Sequence, residues 1–227
     1  MNYLLNINTT TEKAIVCLSN GPDIIFSATN TNSKEHASFL HVAIHQILKD
    51  NSVSVSELKA IGVAGGPGSY TGIRVGLATA KGLCYALNIP LMMYNTLELM
   101  AFSALEKEKN VDALYCPMID ARRMEVFTAV YDAKIVTVFS PAAFELAENS
   151  FSSLIEKNTV YFFGSGAPKF KDLNKNASKN AHFPDNPINT ESLALFGWNK
   201  FENKDFVNLI SSKPLYLKEF YTTAKLA

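Results

Sequence analysis

Apolar and polar positions along the chain change period several times, and each change marks an element. Tyr3–Asn8 and Ala14–Leu18 are short apolar runs separated by Thr9-Thr10-Thr11-Glu12, and Ile24–Ala28 follows after Asn20-Gly21-Pro22-Asp23. Runs of that length bounded by turn residues read as strands, and three in succession form an antiparallel meander. The period then becomes helical. Ala37, Leu40, Ile44, Ile47 and Leu48 share one face of a helix over Lys34–Lys49 that Ser33 can cap. Ile61–Ala64 is strand-like again. From Tyr70 to Leu87 the apolar positions Ile73, Leu77, Ala80, Cys84 and Leu87 fall on one helical face. Leu91–Tyr94 is a short strand after Pro90, and Asn95-Thr96 opens a helix through Leu99, Phe102 and Leu105. The order is β-β-β-α-β-α-β-α.

The second half echoes the first. Tyr115–Asp120 repeats the Tyr, Ile and Asp/Asn spacing of Tyr3–Asn8. Glu125–Tyr131 and Ile135–Phe139 are the next predicted strands, and Thr159–Phe163 ends in Gly164-Ser165-Gly166. Asn189-Thr190 then opens a helix through Leu193, Phe196 and Trp198. Two β-β-β-α-β-α-β-α units back to back are the plan of the actin, hexokinase and Hsp70 (ASKHA) superfamily, so the predicted class is a duplicated, two-lobed α/β fold. The expected division is residues 1–106 for the N-terminal lobe, with its glycine loop at 65–72, and 107–227 for the C-terminal lobe. The last stretch, about 20 residues, is free to pack back on the first lobe.

The glycine loop Gly65-Gly66-Pro67-Gly68-Ser69 joins a strand to a helix, with Ser69 as N-cap candidate. Within that helix Gly72, Gly76 and Ala80 form one row of small residues and Ala78, Gly82 and Ala86 another. A helical glycine costs about 1 kcal/mol against alanine, so two such rows imply close packing on two sides. One side is the protein's own sheet. The other is a second helix, its own or a partner's. Nucleotide motifs fail here. No Gly-Lys pair exists for a P-loop, Gly66, Gly68 and Gly72 are spaced G-x-G-x-x-x-G, and the centre of Gly68–Gly72 is Tyr70 rather than a nucleophilic serine.

Composition narrows the function classes. The 227 residues are 48% hydrophobic, enough for a sizeable core. Lys plus Arg equals Asp plus Glu at 21 each, so no global attraction to nucleic acid or anionic membrane is expected. Cys17, Cys84 and Cys116 lie in apolar stretches without C-x-x-C spacing and read as reduced, inert thiols of a cytoplasmic protein. No basic, apolar leader and no membrane-length apolar run is visible. His41 and His45 share a helical face, but H-E-x-x-H and a third ligand are missing, so solvent-facing or interface roles fit better than metal. The lysine-rich stretch Lys169–Lys179 reads as a solvated loop, with an RNA-touching patch as the sharper alternative.

In the ASKHA plan the first strand of each half normally ends in an acid that handles Mg²⁺ and phosphate. Asp120 stands at the second position, but Asn8 stands at the first. A neutral amide cannot offset a divalent cation as a carboxylate does, and Asn8–Thr11 has no glycine for a phosphate to approach. Asn8 and Asp120 therefore read as remnants of a nucleotide site, with a turn-capping role near Arg122 open for Asp120.

Gly-Gly-Pro-Gly-Ser-Tyr-Thr-Gly-Ile-Arg-Val-Gly at 65–76 is similar to the signature of the bacterial TsaB (YeaZ) family. Leu5–Thr9, Glu35-His36, Ile119–Arg122 with Glu125-Val126, Gly164–Ala167 and Pro214–Leu217 match in order. The resemblance implies a non-catalytic subunit. It would pair with the homologous TsaD subunit and the ATPase TsaE to form threonylcarbamoyl-adenosine in tRNA, touching tRNA only through the complex. ATP and metal would belong to those partners, with no cofactor on this chain. The expected partner surface is the pair of helices Lys34–Lys49 and Tyr70–Leu87, with His36, Leu40, Ile44, Tyr70, Arg74, Gly76, Ala78, Lys81 and Gly82. The same surface could pair two copies of this chain. The alternatives are an ASKHA small-molecule kinase, which Asn8 opposes, and a metal-dependent peptidase, for which no residue set is evident.

Overall fold

The computed structural model describes residues 1–32, 35–174, 178–185 and 188–218; the side chain of His36 and the expected cap Ser33 lie outside the described residues. The first half contains β1 (Tyr3–Asn8), β2 (Ala14–Asn20), β3 (Asp23–Asn30), α1 (His36–Asp50), β4 (Leu58–Ala64), α2 (Tyr70–Leu87), β5 (Leu91–Tyr94) and α3 (Thr96–Glu108). The second contains β6 (Leu114–Asp120), β7 (Glu125–Tyr131), β8 (Thr137–Glu145), α4 (Ser152–Ile155), β9 (Val160–Phe163), α5 (Ala167–Leu173), β10 (Ala181–His182) and α6 (Thr190–Glu202). Both halves follow the predicted order. The two sheets run β3-β2-β1-β4-β5 and β10-β9-β6-β7-β8. Each joins an antiparallel meander to parallel strands on the other side of its first strand.

The element starts follow local chemistry. Ser69 Oγ accepts from Gly72 N at 3.2 Å, Asn95 Oδ1 from Leu97 N at 2.9 Å and Asn189 Oδ1 from Ser192 N at 2.7 Å. Each supplies a partner for an otherwise orphaned N–H of a first helical turn. Two expectations need correction. β8 does not begin at Ile135: Asp132 Oδ1 accepts from Lys134 N and Val136 N at 2.8 and 2.9 Å, holding Ile135 in a turn at φ 59°. Lys169 is not in a loop either. It lies on α5, whose Phe170 is fully buried and anchors the helix to the second sheet. Lys175 lies outside the described residues.

The layers tie the two halves together. α1 and α2 cover one face of the first sheet, through Leu5, Ile7, Leu40, Ile44 and Leu77. α4 and α5 cover the far face of the second sheet. Between the sheets lie α3 and α6, exchanged between halves: α3 packs on β6 and β7, and α6 packs on β1, β2 and β3. Leu4, Tyr94, Leu97, Tyr115 and Phe196 therefore share a single cluster drawn from both halves. Burying a large apolar side chain contributes roughly 1.5–3 kcal/mol, so this shared layer binds the halves into one body. At its centre Tyr94 donates to Asn6 Oδ1 at 2.6 Å. Gly62 and Gly197 close on that pair from either side, where a Cβ would overlap it. Among the described residues, no helix is long and apolar enough to cross a membrane.

The three cysteines are buried free thiols. Burial pushes Cys17 and Cys116 up to about 12 and Cys84 up to about 11. Two outcomes are expected. A thiol reagent at pH 8 should label all three only after denaturation. Stability should be full below about pH 8.5 and fall as pH rises toward 11–12, because the unfolded chain can ionise these thiols and the folded one cannot. The loss is about 1.4 kcal/mol per thiol by pH 10. Urea midpoints at pH 8 and pH 10 measure it.

Candidate functional site

The cleft between the sheets, about 1670 Å³, lies where the fold would hold a nucleotide. Its loops are engaged with each other instead. Ser69 N donates to Thr10 O at 2.8 Å, and Thr9 Oγ1 donates to Gly72 O at 2.6 Å. A Cβ on Gly68 would meet the Thr10 carbonyl, and one on Gly72 the Thr9 carbonyl. Gly68 also sits at φ 150°, where side chains are disfavoured. The glycines thus serve the close approach of two loops. Asn8 is fully buried. Its Nδ2 donates to Thr11 Oγ1 at 3.0 Å, and its Oδ1 accepts from Thr10 Oγ1 at 2.7 Å and Thr10 N at 3.2 Å. The expected remnant at Asn8 is therefore a turn-stabilising amide turned away from the cleft.

Asp120 does line the cleft. Its Oδ1 accepts from Arg122 N at 2.6 Å and pairs with Lys169 Nζ at 2.6 Å. Partial burial alone would raise its carboxyl. The Lys169 and Arg122 hydrogen bonds and the lysine charge outweigh this and hold it below its ordinary value. Its own N–H donates to Ser165 Oγ at 3.1 Å, and Gly166 N donates to Met118 O at 2.9 Å. A Mg–phosphate group needs free carboxylates and free backbone donors. Here one Asp120 oxygen and the N–H groups of Thr10, Ser69, Asp120 and Gly166 are engaged within the protein.

The mouth of the cleft is crossed by the segment after α6. Val207 N donates to Leu91 O at 2.9 Å, and Leu215 N to Gly65 O at 2.8 Å. Lys81 Nζ reaches the carbonyls of Ile210 and Ser212 at 3.3 and 3.0 Å. Tyr216 stacks on Tyr70 at 5.2 Å, and its hydroxyl accepts from Arg74 Nε at 2.9 Å. The Arg74 guanidinium lies 3.8 Å over the Tyr70 ring, and Lys218 pairs with Glu125 on β7. One strap thus joins α2 to the second sheet. Tyr216→Ala removes a stacked ring and a cation partner together worth about 1–2 kcal/mol. The expected result is a thermal midpoint lower by roughly 3–5 °C and faster proteolysis at 208–218.

On the opposite side, α1 and α2 enclose an apolar groove of about 580 Å³, lined by His41, Ile44, His45, Leu48, Val55, Ala78, Thr79, Gly82 and Leu83. Several predicted interface residues belong elsewhere. Leu40 is a fully buried core residue. Gly76 faces the protein's own sheet, where a Cβ would come 2.5 Å from Thr9 Oγ1. Tyr70, Arg74 and Lys81 hold the strap. The side chain of His36 lies outside the described residues. Ile44 forms the groove floor, while Ala78 and Gly82 are exposed on its wall. Among the described residues, nothing lies within 4 Å of where a Cβ on Gly82 would stand. The same two helices carry large exposed apolar side chains outside the groove lining that the sequence pattern did not single out: Tyr85 on α2 is 81% exposed and Val42 on α1 69%. The signal was available, since Tyr85 is an aromatic out of phase with the stripe of Ile73, Leu77, Cys84 and Leu87.

The β6–β7 connection is unusual in another way. Arg122 and Arg123 sit at φ 68° and 46°, the one adjacent pair of left-handed non-glycine residues among those described. Each such residue costs about 1–2 kcal/mol.

Two five-stranded sheets with exchanged helices and a cleft define a two-lobed α/β protein of the actin, hexokinase and Hsp70 class. A solved structure from Pseudomonas aeruginosa, described as an uncharacterized protein with similarity to peptidase YEAZ, superposes with a TM-score of 0.82 at 22% identity, covering 96% of this chain and 100% of that one. A putative N-acetylmannosamine kinase from Listeria monocytogenes shares the fold more distantly, with a TM-score of 0.52 at 11% identity over 88% of this chain and 100% of that one. The family model for TsaD, tRNA N6-adenosine threonylcarbamoyltransferase, matches residues 27–199, and the chain belongs to that family. Among curated relatives, the tRNA threonylcarbamoyladenosine biosynthesis proteins TsaB of Bacillus subtilis and Escherichia coli are 34% and 32% identical, over 58% and 56% of this chain. The chain spans little more than half the length of these relatives, 56% and 54%.

Proposed function

We propose that this chain is a non-catalytic, activating subunit of a tRNA threonylcarbamoyl transferase, acting by docking its α1–α2 face on a TsaD-type homologue. The names of its relatives supply the pathway. The observation that carries the docking mode is Gly82. Gly72 and Gly76 are explained by contacts inside the chain, whereas Gly82 costs helix stability and no described residue lies within 4 Å of where its Cβ would stand. A small residue on an exposed helix beside an apolar groove suits close packing against a second helix. Tyr85 and Val42 would flank that contact as apolar anchors.

Nucleotide and metal chemistry is then left to the partner and to a TsaE-type ATPase, in keeping with an Asn8 turned inward and an Asp120 held by Lys169. Such a subunit works in the cytoplasm and meets tRNA within the complex. Alone, the same face would pair two copies. The test is co-expression with the TsaD-type homologue, followed by calorimetry of the separated chains. The expected result is a stable heterodimer, with Mg-ATP binding retained by the partner and absent from this chain. Micromolar Mg-ATP binding with turnover by this chain alone would overturn the proposal in favour of a kinase.

A further inference from the structure

We propose that the β6–β7 turn is a phosphate-contacting tip through which this chain touches tRNA directly, an inference that rests on the tRNA reading above. The chain carries no net charge, so any RNA contact must come from a local surplus, and this turn holds one. The two carboxylates that flank it are each neutralised by a lysine brought from elsewhere, Asp120 by Lys169 at 2.6 Å and Glu125 by Lys218. Arg122 and Arg123 are left over. Both are exposed, and neither guanidinium has a hydrogen-bond or ion-pair partner among the described residues. The tip therefore carries two uncompensated positive charges.

The backbone strengthens the case. Asparagine and glycine relax a left-handed backbone, and arginine does not. Asp120 Oδ1 accepts from Arg122 N at 2.6 Å, and Glu125 N donates to Arg122 O at 3.1 Å, so the turn is clamped in this shape. Strain that the surroundings enforce is a pointer to function. Arg122 lines the cleft, as Lys171 does, whereas Arg123 is outside that lining. The pair straddles a rim rather than filling a pocket. That geometry suits successive phosphates of an extended polyanion, which guanidinium forks grip in bidentate fashion.

The test uses the complex of this chain with its TsaD-type partner and an unmodified tRNA transcript, followed by fluorescence anisotropy across a salt series. Arg122→Gln/Arg123→Gln removes both charges and keeps the strained positions. Arg122→Asn/Arg123→Gly removes the charges and relaxes the backbone. Both variants should bind tRNA roughly tenfold or more weakly, with the salt slope reduced by about 1.4–1.8, and should still pair with the partner. The second should also melt several degrees higher than wild type, a gain that a purely structural role for these arginines would not give. If wild type binds tRNA and both variants match its affinity and slope, the inference falls alone. If the wild-type complex binds no tRNA, the tRNA reading falls with it.

Discussion

Alanine at position 72 is expected to lower the thermal midpoint by about 10 °C, while alanine at position 82 raises it by about 2–4 °C. Both residues are glycines of α2, and helix propensity alone would favour alanine at each by about 1 kcal/mol. Packing decides the sign. The new methyl at 72 would overlap the Thr9 carbonyl oxygen, a backbone atom that cannot swing aside. Relieving the overlap separates α2 from the 9–10 loop and breaks the 2.6 Å hydrogen bond from Thr9 Oγ1 to Gly72 O. Overpacking and the broken buried bond together cost roughly 3–4 kcal/mol. At 82 the methyl meets open space, so only the propensity gain remains. Calorimetric melting of the two variants measures both signs in one helix.

Gly82→Arg and Ala78→Trp are expected to weaken binding to the TsaD-type partner by 100-fold or more while leaving the isolated chain folded. An arginine in the middle of a helix–helix contact either buries an unpaired charge or holds the helices apart, and either outcome costs at least about 2–3 kcal/mol, the equivalent of that factor. In the free chain both side chains project into solvent, so the melting temperature should stay within a few degrees of wild type. Gly76→Leu would be a poor test of the same idea. Its side chain would enter the α2–sheet contact beside Thr9 and Val63 and unfold the protein. Surface plasmon resonance against the immobilised partner, with melting curves alongside, distinguishes lost docking from lost folding.

The element order, the two-lobed plan and the buried thiols were legible in the chain because they depend on local period and composition. Tyr3–Asn8 and Tyr115–Asp120 share a pattern because both are first strands buried on both faces. Helix period also revealed two rows of small residues on α2. It could not say which row faced inward, because that depends on where β1 and the 9–10 loop lie. Gly72 and Gly76 turned out to face that loop and the sheet, and Gly82 the solvent. Tyr70, Arg74 and Lys81 looked like free surface for a similar reason. Their partners, Ile210, Ser212 and Tyr216, are 129 to 146 residues away in sequence. No local pattern announces such a contact. Arg122 and Arg123 were visible as residues, but the unusual feature is their backbone, which composition does not encode.

The central claim is that this chain acts by presenting a surface to a related protein rather than by handling nucleotide itself. The most direct measurement is the yield of threonylcarbamoyl-adenosine in a transferase reconstituted from the TsaD-type partner, the TsaE-type ATPase, unmodified tRNA and the small-molecule substrates. Wild-type chain should support formation of the modified nucleoside, and the yield should collapse when the chain is omitted or replaced by Gly82→Arg. Full yield without the chain, or with a Gly82→Arg chain that no longer binds the partner, would contradict the account.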